Sequence, residues 1–294
     1  MMVPMKKTLI LLLLWALAPN SALAVEGDGH HSLWKATGPK GGTVYLLGSV
    51  HVLPESASPL PDVITSSFEA SSTTVFEVDF DAMNNSAQAI FSAGSLLPGE
   101  TLEDMLSPDT AKMLKSHLGH AGLNPEMFKP MRPWMAALAL TSFELVKHGY
   151  SPDAGIDITL ARRATEAEKT IIALESAEEQ ISLFSNLSDS QSEAFLRYTI
   201  RDLRTLSTQL DTIIEAWKHG DVQSLRKLLG EAFLKEPEVL RRFVTARNEK
   251  WMTAILSLFE KDRVSMVVVG TLHLVGDQGI LEKLKKAGIH VEQL

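Results

Sequence analysis

Two tetrapeptides in this 294-residue chain share one pattern: Gly48-Ser49-Val50-His51 follows the apolar run Val44 to Leu47, and Gly270-Thr271-Leu272-His273 follows Met266 to Val269. A glycine at the end of an apolar strand lets the backbone turn sharply or approach another group, and a histidine three residues on can face a cleft beyond the strand. A lone histidine in that position is more often a hydrogen-bonded core residue. Two in the same setting point to a shared site, and an imidazole that changes charge near neutrality can serve there as proton acceptor or metal ligand.

Two other apolar segments carry acids. In Val75-Phe76-Glu77-Val78-Asp79-Phe80, alternation places Glu77 on the face of Val75 and Asp79. Ile171-Ile172-Ala173-Leu174-Glu175 puts a second carboxylate at a strand exit. Carboxylates among such residues are rarely buried without a partner. Glu77 therefore reads as functional, with a lysine at the rim as its structural alternative, whereas Glu175 is equally suited to the amino terminus of the helix that follows. Arg247 interrupts the apolar stripe Leu240, Phe243, Val244, Trp251 and Leu258, and Asp157 shares a face with Leu160, Ala161 and Ala164. A structural ion pair between Arg247 and Asp157 is one reading of that arrangement. The remaining histidines carry less. His30-His31 lies in a polar, glycine-containing stretch, and His117, His120, His148 and His219 fall near expected helix ends.

The elements that position these groups are strands at Thr43–Leu47, Thr74–Phe80, Thr170–Leu174 and Ser265–Val269, each too short for three helical turns. Long helical stretches separate them. Leu60, Val63, Ile64 and Phe68 form one apolar face; Ser107-Pro108 is a cap with a first-turn proline; Trp134 to Val146 is apolar nearly all round. Ser176-Ala177-Glu178-Glu179 is a capping box. Asp189 to His219 reads as the longest helix, with a seam at Leu196, Thr199, Leu203, Leu206, Leu210, Ile213 and Trp217. That seam fits an internal hairpin with Val222–Leu229 or, alternatively, a homodimerising coiled coil. Helices over Pro237–Phe259 and Gly276–Ala287 and a strand from Ile289 complete the chain. Strands joined by such crossovers predict an α/β fold with a mixed, partly parallel sheet flanked by helices and a long helical hairpin insertion. Functional groups in such sheets gather beyond the carboxyl ends of the strands.

Composition narrows the classes. The chain has no cysteine, 28 basic and 36 acidic residues and a net charge of −8. A disulfide scaffold, a thiolate-ligated metal and a cysteine nucleophile are excluded, and without a concentrated basic face nucleic acid is not the expected partner. No H-E-x-x-H, G-x-S-x-G, P-loop or G-x-G-x-x-G pattern occurs. Lys6-Lys7, the apolar run Leu9 to Ala18 and Ala22-Leu23-Ala24 read as a signal peptide over residues 1–24, with Met5 a plausible start. The expected mature chain is one domain over residues 25–294, periplasmic or secreted, with no integral membrane segment.

Taken in order, Leu47-Gly48-Ser49-Val50-His51-Val52, Phe76-Glu77-Val78-Asp79, Gly155-Ile156-Asp157, Lys169 to Ser176 with Gln180, Arg247-Asn248 with Trp251, and Val269-Gly270-Thr271-Leu272-His273-Leu274 with Gly276 resemble the TraB/GumN family. That family includes the Tiki membrane-associated metalloproteases. The resemblance spans about Trp34 to Leu294 and implies an erythromycin-esterase/ChaN-like (EreA/ChaN-like) fold. It also implies a site built from His51, Glu77 and His273, with Arg247 as an associated polar residue and Glu175 in a family motif. Unlike the Tiki proteins, this chain has no cysteine and is expected to carry no carboxyl-terminal membrane anchor, so their substrate does not carry over.

On that basis the expected activity is hydrolysis of a peptide or protein. His51, Glu77 and His273 would hold a divalent metal (Zn, Mn or Co) whose bound water attacks. Glu175, or Glu77 if it is not a ligand, would be the general base, and Arg247 would stabilise negative charge or orient a carboxylate. A metal-free version has His51 activate water, with Glu77 fixing its tautomer. A different class, a non-catalytic periplasmic binder of haem, metal or a polysaccharide-related ligand, uses the same histidines. A third is a partner-binding protein acting through the Leu196 to Trp217 seam.

Overall fold

The computed structural model describes residues 30–54, 57, 59–233, 237–260 and 262–294, so the expected signal peptide lies outside the described residues. Eight strands form: β1 (Leu33–Thr37), β2 (Thr43–Ser49), β3 (Leu53–Pro54), β4 (Thr73–Val78), β5 (Tyr150–Ser151), β6 (Thr170–Glu175), β7 (Val264–Gly270) and β8 (His290–Gln293). Six of them make one sheet in the order β6-β4-β7-β2-β1-β8, while β3 and β5 pair separately. The four central neighbours run parallel, and β1 is antiparallel to both β2 and β8. This is the mixed α/β sheet that the sequence predicts.

Alternation divides the central strands between two faces. Leu47, Phe76, Val78, Met266 and Val268 belong to a core that includes the helices Pro133–Lys147, Asp189–Asp202 and Leu206–Lys218. Leu46, Val75, Val267 and Val269 belong to a second core with Trp251 and Ile255 of helix Ala246–Ser257 and Leu284 of helix Ile280–Lys286. With both faces covered, the parallel strands carry near-continuous apolar runs, as buried parallel strands do. Glu77, two residues beyond Val75, is thereby turned toward the helix that carries Arg247.

Three expectations need correction. The strand predicted to reach Phe80 stops at Val78, because Asp79 accepts a hydrogen bond from the Ala82 backbone N–H at 2.9 Å and caps helix Phe80–Asn85. The single helix predicted over Asp189–His219 is two, broken at Leu203–Thr205. There the Thr205 hydroxyl donates to the Asp202 carbonyl at 3.3 Å, a local bond that competes with the helical ladder. The seam survives the break but is buried within the chain, from Leu196 at 0% exposure to Trp217 at 4%. Helix Leu206–Lys218 packs on helix Val222–Phe233 as the hairpin reading predicts. Finally, the helix expected over Gly276–Ala287 is confined to Ile280–Lys286, and a one-turn helix, Thr271–Leu274, leaves β7 directly.

Candidate functional site

The two Gly-x-x-His segments leave adjacent parallel strands, with Gly48 opposite Val269 and Ser49 opposite Gly270. A Cβ on Gly48 would stand 2.8 Å from the Thr271 hydroxyl oxygen, so glycine is what lets the turn after β7 cross β2. Thr271 Oγ1 then donates to the Ser49 carbonyl at 3.0 Å and ties the two turns together.

Beyond Ser49 the chain is clamped by the start of helix Ile156–Glu166. The Ile156 N–H donates to the Val50 carbonyl at 3.1 Å, and a Cβ on Gly155 would lie 2.4 Å from the His51 carbonyl oxygen. This close backbone contact sets Asp157, in the first helical turn, against His51. Asp157 Oδ2 binds His51 Nδ1, while His51 Nε2 is buried and has no hydrogen-bond partner. Burial alone pulls the His51 pKa down; the charge and hydrogen bond of Asp157, aided by Glu77, outweigh it and leave it raised. Asp157 therefore pairs with His51 and not with Arg247, and it is Asp157, not Glu77, that fixes the His51 tautomer.

Arg247 is the hub of the rest. Its Nε donates to Glu175 Oε2 at 3.0 Å, and its Nη2 to Glu175 Oε1 and Glu77 Oε2, each at 2.6 Å. Its Nη1 donates to the Phe243 carbonyl at 3.1 Å and to His273 Nε2 at 3.0 Å. A guanidinium has five N–H donors, and these five contacts use them all. The partner of Glu77 is thus an arginine from the covering helix, not a rim lysine. Among the roles read for Arg247, this geometry serves the orientation of carboxylates.

Glu77 Oε1 also accepts from the Gly270 backbone N–H at 2.7 Å, which gives the second motif glycine a task. Burial raises the Glu77 pKa, but Arg247, the two histidines and this N–H overcome it and hold the carboxyl at about 2. Glu175 accepts in addition from Gln180 at 3.1 Å, and burial leaves its pKa raised against the pull of Arg247. Two carboxylates on one guanidinium are thus driven apart, Glu77 fixed as the anion and Glu175 the readier to hold a proton.

His273 is fully buried and its protonation is set by Asn248, a residue that sequence reasoning gave no role. Asn248 Nδ2 donates to the carbonyls of His273 and Gln278, each at 3.1 Å, so its Oδ1 faces His273 Nδ1 at 2.6 Å and must accept from it. The Nδ1–H tautomer follows, and Nε2 accepts from Arg247. Burial, with Arg247 and His51 adding to it, lowers the His273 pKa to about 3. The signal for Asn248 was its place beside Arg247 on a buried helix, since a buried amide is hydrogen-bonded.

Four of the five expected residues, Glu77, Glu175, Arg247 and His273, form one bonded cluster, with His273 Nε2 3.8 Å from Glu77 Oε1, and His51 lies close enough to feel the charge of Glu77. The two histidines are not equivalent. His51 offers an Nε2 lone pair with a carboxylate behind Nδ1, the arrangement of a ligand imidazole or a general base. The Nε2 of His273 is already engaged by a cation. Among the described residues no three His, Asp or Glu side chains are grouped to hold a metal ion. As arranged, His51, Glu77 and His273 do not fit a three-ligand metal shell.

The chain is thus a doubly covered α/β sheet with a buried His, Glu and Arg cluster at the carboxyl ends of its central strands. The model of the TraB/PrgY/gumN family matches residues 32–293, and the chain belongs to that family. It is 25% identical to "Uncharacterized protein YbaP" of Escherichia coli over 87% of this chain and 94% of that protein. It is also 24% identical to "Metalloprotease TIKI1" of Homo sapiens over 84% of this chain and 59% of that one, and 22% identical to the Danio rerio protein of that name over 84% and 60%. No solved structure matches.

Proposed function

We propose that the chain is an exported hydrolase acting on peptide bonds, with His51 as the general base that activates water. The observation that carries this reading is the His51 imidazole, anchored through Nδ1 to Asp157 and partnerless at Nε2. Its side chain keeps 11% exposure whereas that of His273 keeps none, so His51 lies nearer the surface of the two, and its buried Nε2 must be uncovered for water to reach it. Water would give its proton to Nε2 as its oxygen bonds to the substrate carbonyl carbon. The same proton would then pass to the leaving amine as the C–N bond breaks, while Asp157 steadies the transient imidazolium. Glu77 supplies a fixed negative charge that raises the basicity of His51. Similarity to proteins named metalloproteases supports the peptide substrate class.

The metal-dependent form of this reading requires at least the release of His273 Nε2 from Arg247. The test is turnover of a peptide library followed by mass spectrometry, beside metal content of the same preparations. His51→Ala and Asp157→Asn should each lower turnover by about 10²- to 10⁴-fold with the fold intact, and a chelator should leave the wild type active. Turnover lost to chelation and restored by Zn or Mn would overturn the metal-free form. Undiminished turnover in His51→Ala would sink both.

A further inference from the structure

A cavity of about 280 Å³ lies between helix Asp189–Asp202 and the turn of π-helix Arg241–Thr245. Its walls are largely apolar, with Leu187, Phe195, Tyr198, Val239 and Phe243 among them. Its charged lining is uneven. Glu238 is taken by Arg241, whose Nε donates to it at 3.4 Å. Arg242 also lines the cavity; its Nη2 donates to the Asn186 carbonyl at 3.2 Å, while its Nη1 is buried without a partner. A buried cationic donor left unpaired is costly, so an acceptor belongs there. With Arg241 and Glu238 paired, the unsatisfied charge on the lining is that of Arg242, which favours an anion.

We propose that this cavity binds the carboxyl terminus of a peptide, with the apolar last side chain among Phe195, Tyr198 and Phe243 and the α-carboxylate on Arg242. The choice of a peptide rests on the hydrolase reading above; the anionic, apolar character of the ligand rests on the cavity alone. At about 280 Å³ the space is at the small end for ligand pockets and suits one terminal residue better than a lipid chain. The cavity also shares a wall with the catalytic cluster. Phe243 lines it, and the Phe243 carbonyl accepts from Arg247 Nη1. π-Helical turns inside α-helices are frequent at functional sites, and this one joins the two.

Calorimetric titration of the mature chain with acetyl-Leu-Phe as free acid and as amide tests the proposal, with His51→Ala run in parallel so that no turnover intervenes. The acid should bind at least about tenfold more tightly than the amide in both proteins, in line with one charge-assisted hydrogen bond. Arg242→Gln should bring that ratio close to one, and Ala194→Trp, which fills the space, should remove both ligands. Equal binding of acid and amide, a ratio that survives Arg242→Gln, or decanoate binding as tightly as the peptide acid would overturn it. Intact acid preference in a chain that cleaves no peptide would sink the hydrolase reading and leave the pocket in place.

Discussion

At the scale of single residues, Arg247 answers to two buried carboxylates, one imidazole and one carbonyl. Arg247→Ala should therefore cost on the order of 3–5 kcal/mol in denaturant unfolding, because it leaves buried charge without compensation. Arg247→Lys should recover only part of that, since an ammonium has three donors and no fork. The histidines give the pH dependence a sign. His273 titrates near 3 in the folded chain against an ordinary value of 6.5, so the unfolded chain binds the extra proton between them. Stability falls as pH drops through that window. Glu77, held at about 2 against 4.5, adds a second loss on further acidification, while the raised Glu175 softens it. His51, raised, contributes stability that is complete below its ordinary 6.5 and is lost as pH rises through its folded value. Unfolding midpoints should thus decline from pH 6.5 to 5.0, and His273→Gln, though less stable throughout, should show a flatter profile over that interval. The charged residues of this cluster were legible because each is a charge set into an apolar pattern. Its pairing was not, because Asp157 and Arg247 sit on different helices and nothing in their spacing says which partner each meets.

Among elements, the four central strands and the two capped helices follow from short apolar runs and from local capping chemistry, both readable along the chain. β1 was missed: Leu33–Thr37 is five residues long, mixes Lys35 with apolar neighbours, and is held by its antiparallel partners β2 and β8. The one-turn helix carrying His273 was missed as well, since four residues carry no periodicity. Gly155 shows how tightly one element can govern another. A methyl group there would meet the His51 carbonyl oxygen at 2.4 Å, backbone against side chain, so Gly155→Ala must push helix Ile156–Glu166 away and draw Asp157 off His51. Turnover should fall as far as in Asp157→Asn, and stability by about 1–3 kcal/mol, the usual range for overpacking. Full activity in Gly155→Ala would show that the helix does not position the dyad.

For the whole molecule, the expected homodimer loses the seam as its surface, since those side chains are buried within one chain. The exposed alternative is the outer edge of β6, where Ile171 and Ile172 are 38% and 36% exposed and the neighbouring exposed positions are Thr170 and Ala173. Uncharged edge strands invite pairing with another chain. The expected outcome by light scattering is association of the wild type with rising concentration and none in Ile172→Lys, with turnover unchanged. Among the described residues no helix is long and apolar enough to cross a membrane. Finally, β7 lies between β4 and β2 although it follows both by nearly two hundred residues or more. A chain emerging amino end first therefore displays His51 and Glu77 long before Arg247 and Gly270 arrive to hold the carboxylate. The buried cluster is complete only with the closing strands, so a truncated or half-delivered chain carries His51 and Glu77 without a finished pocket around them.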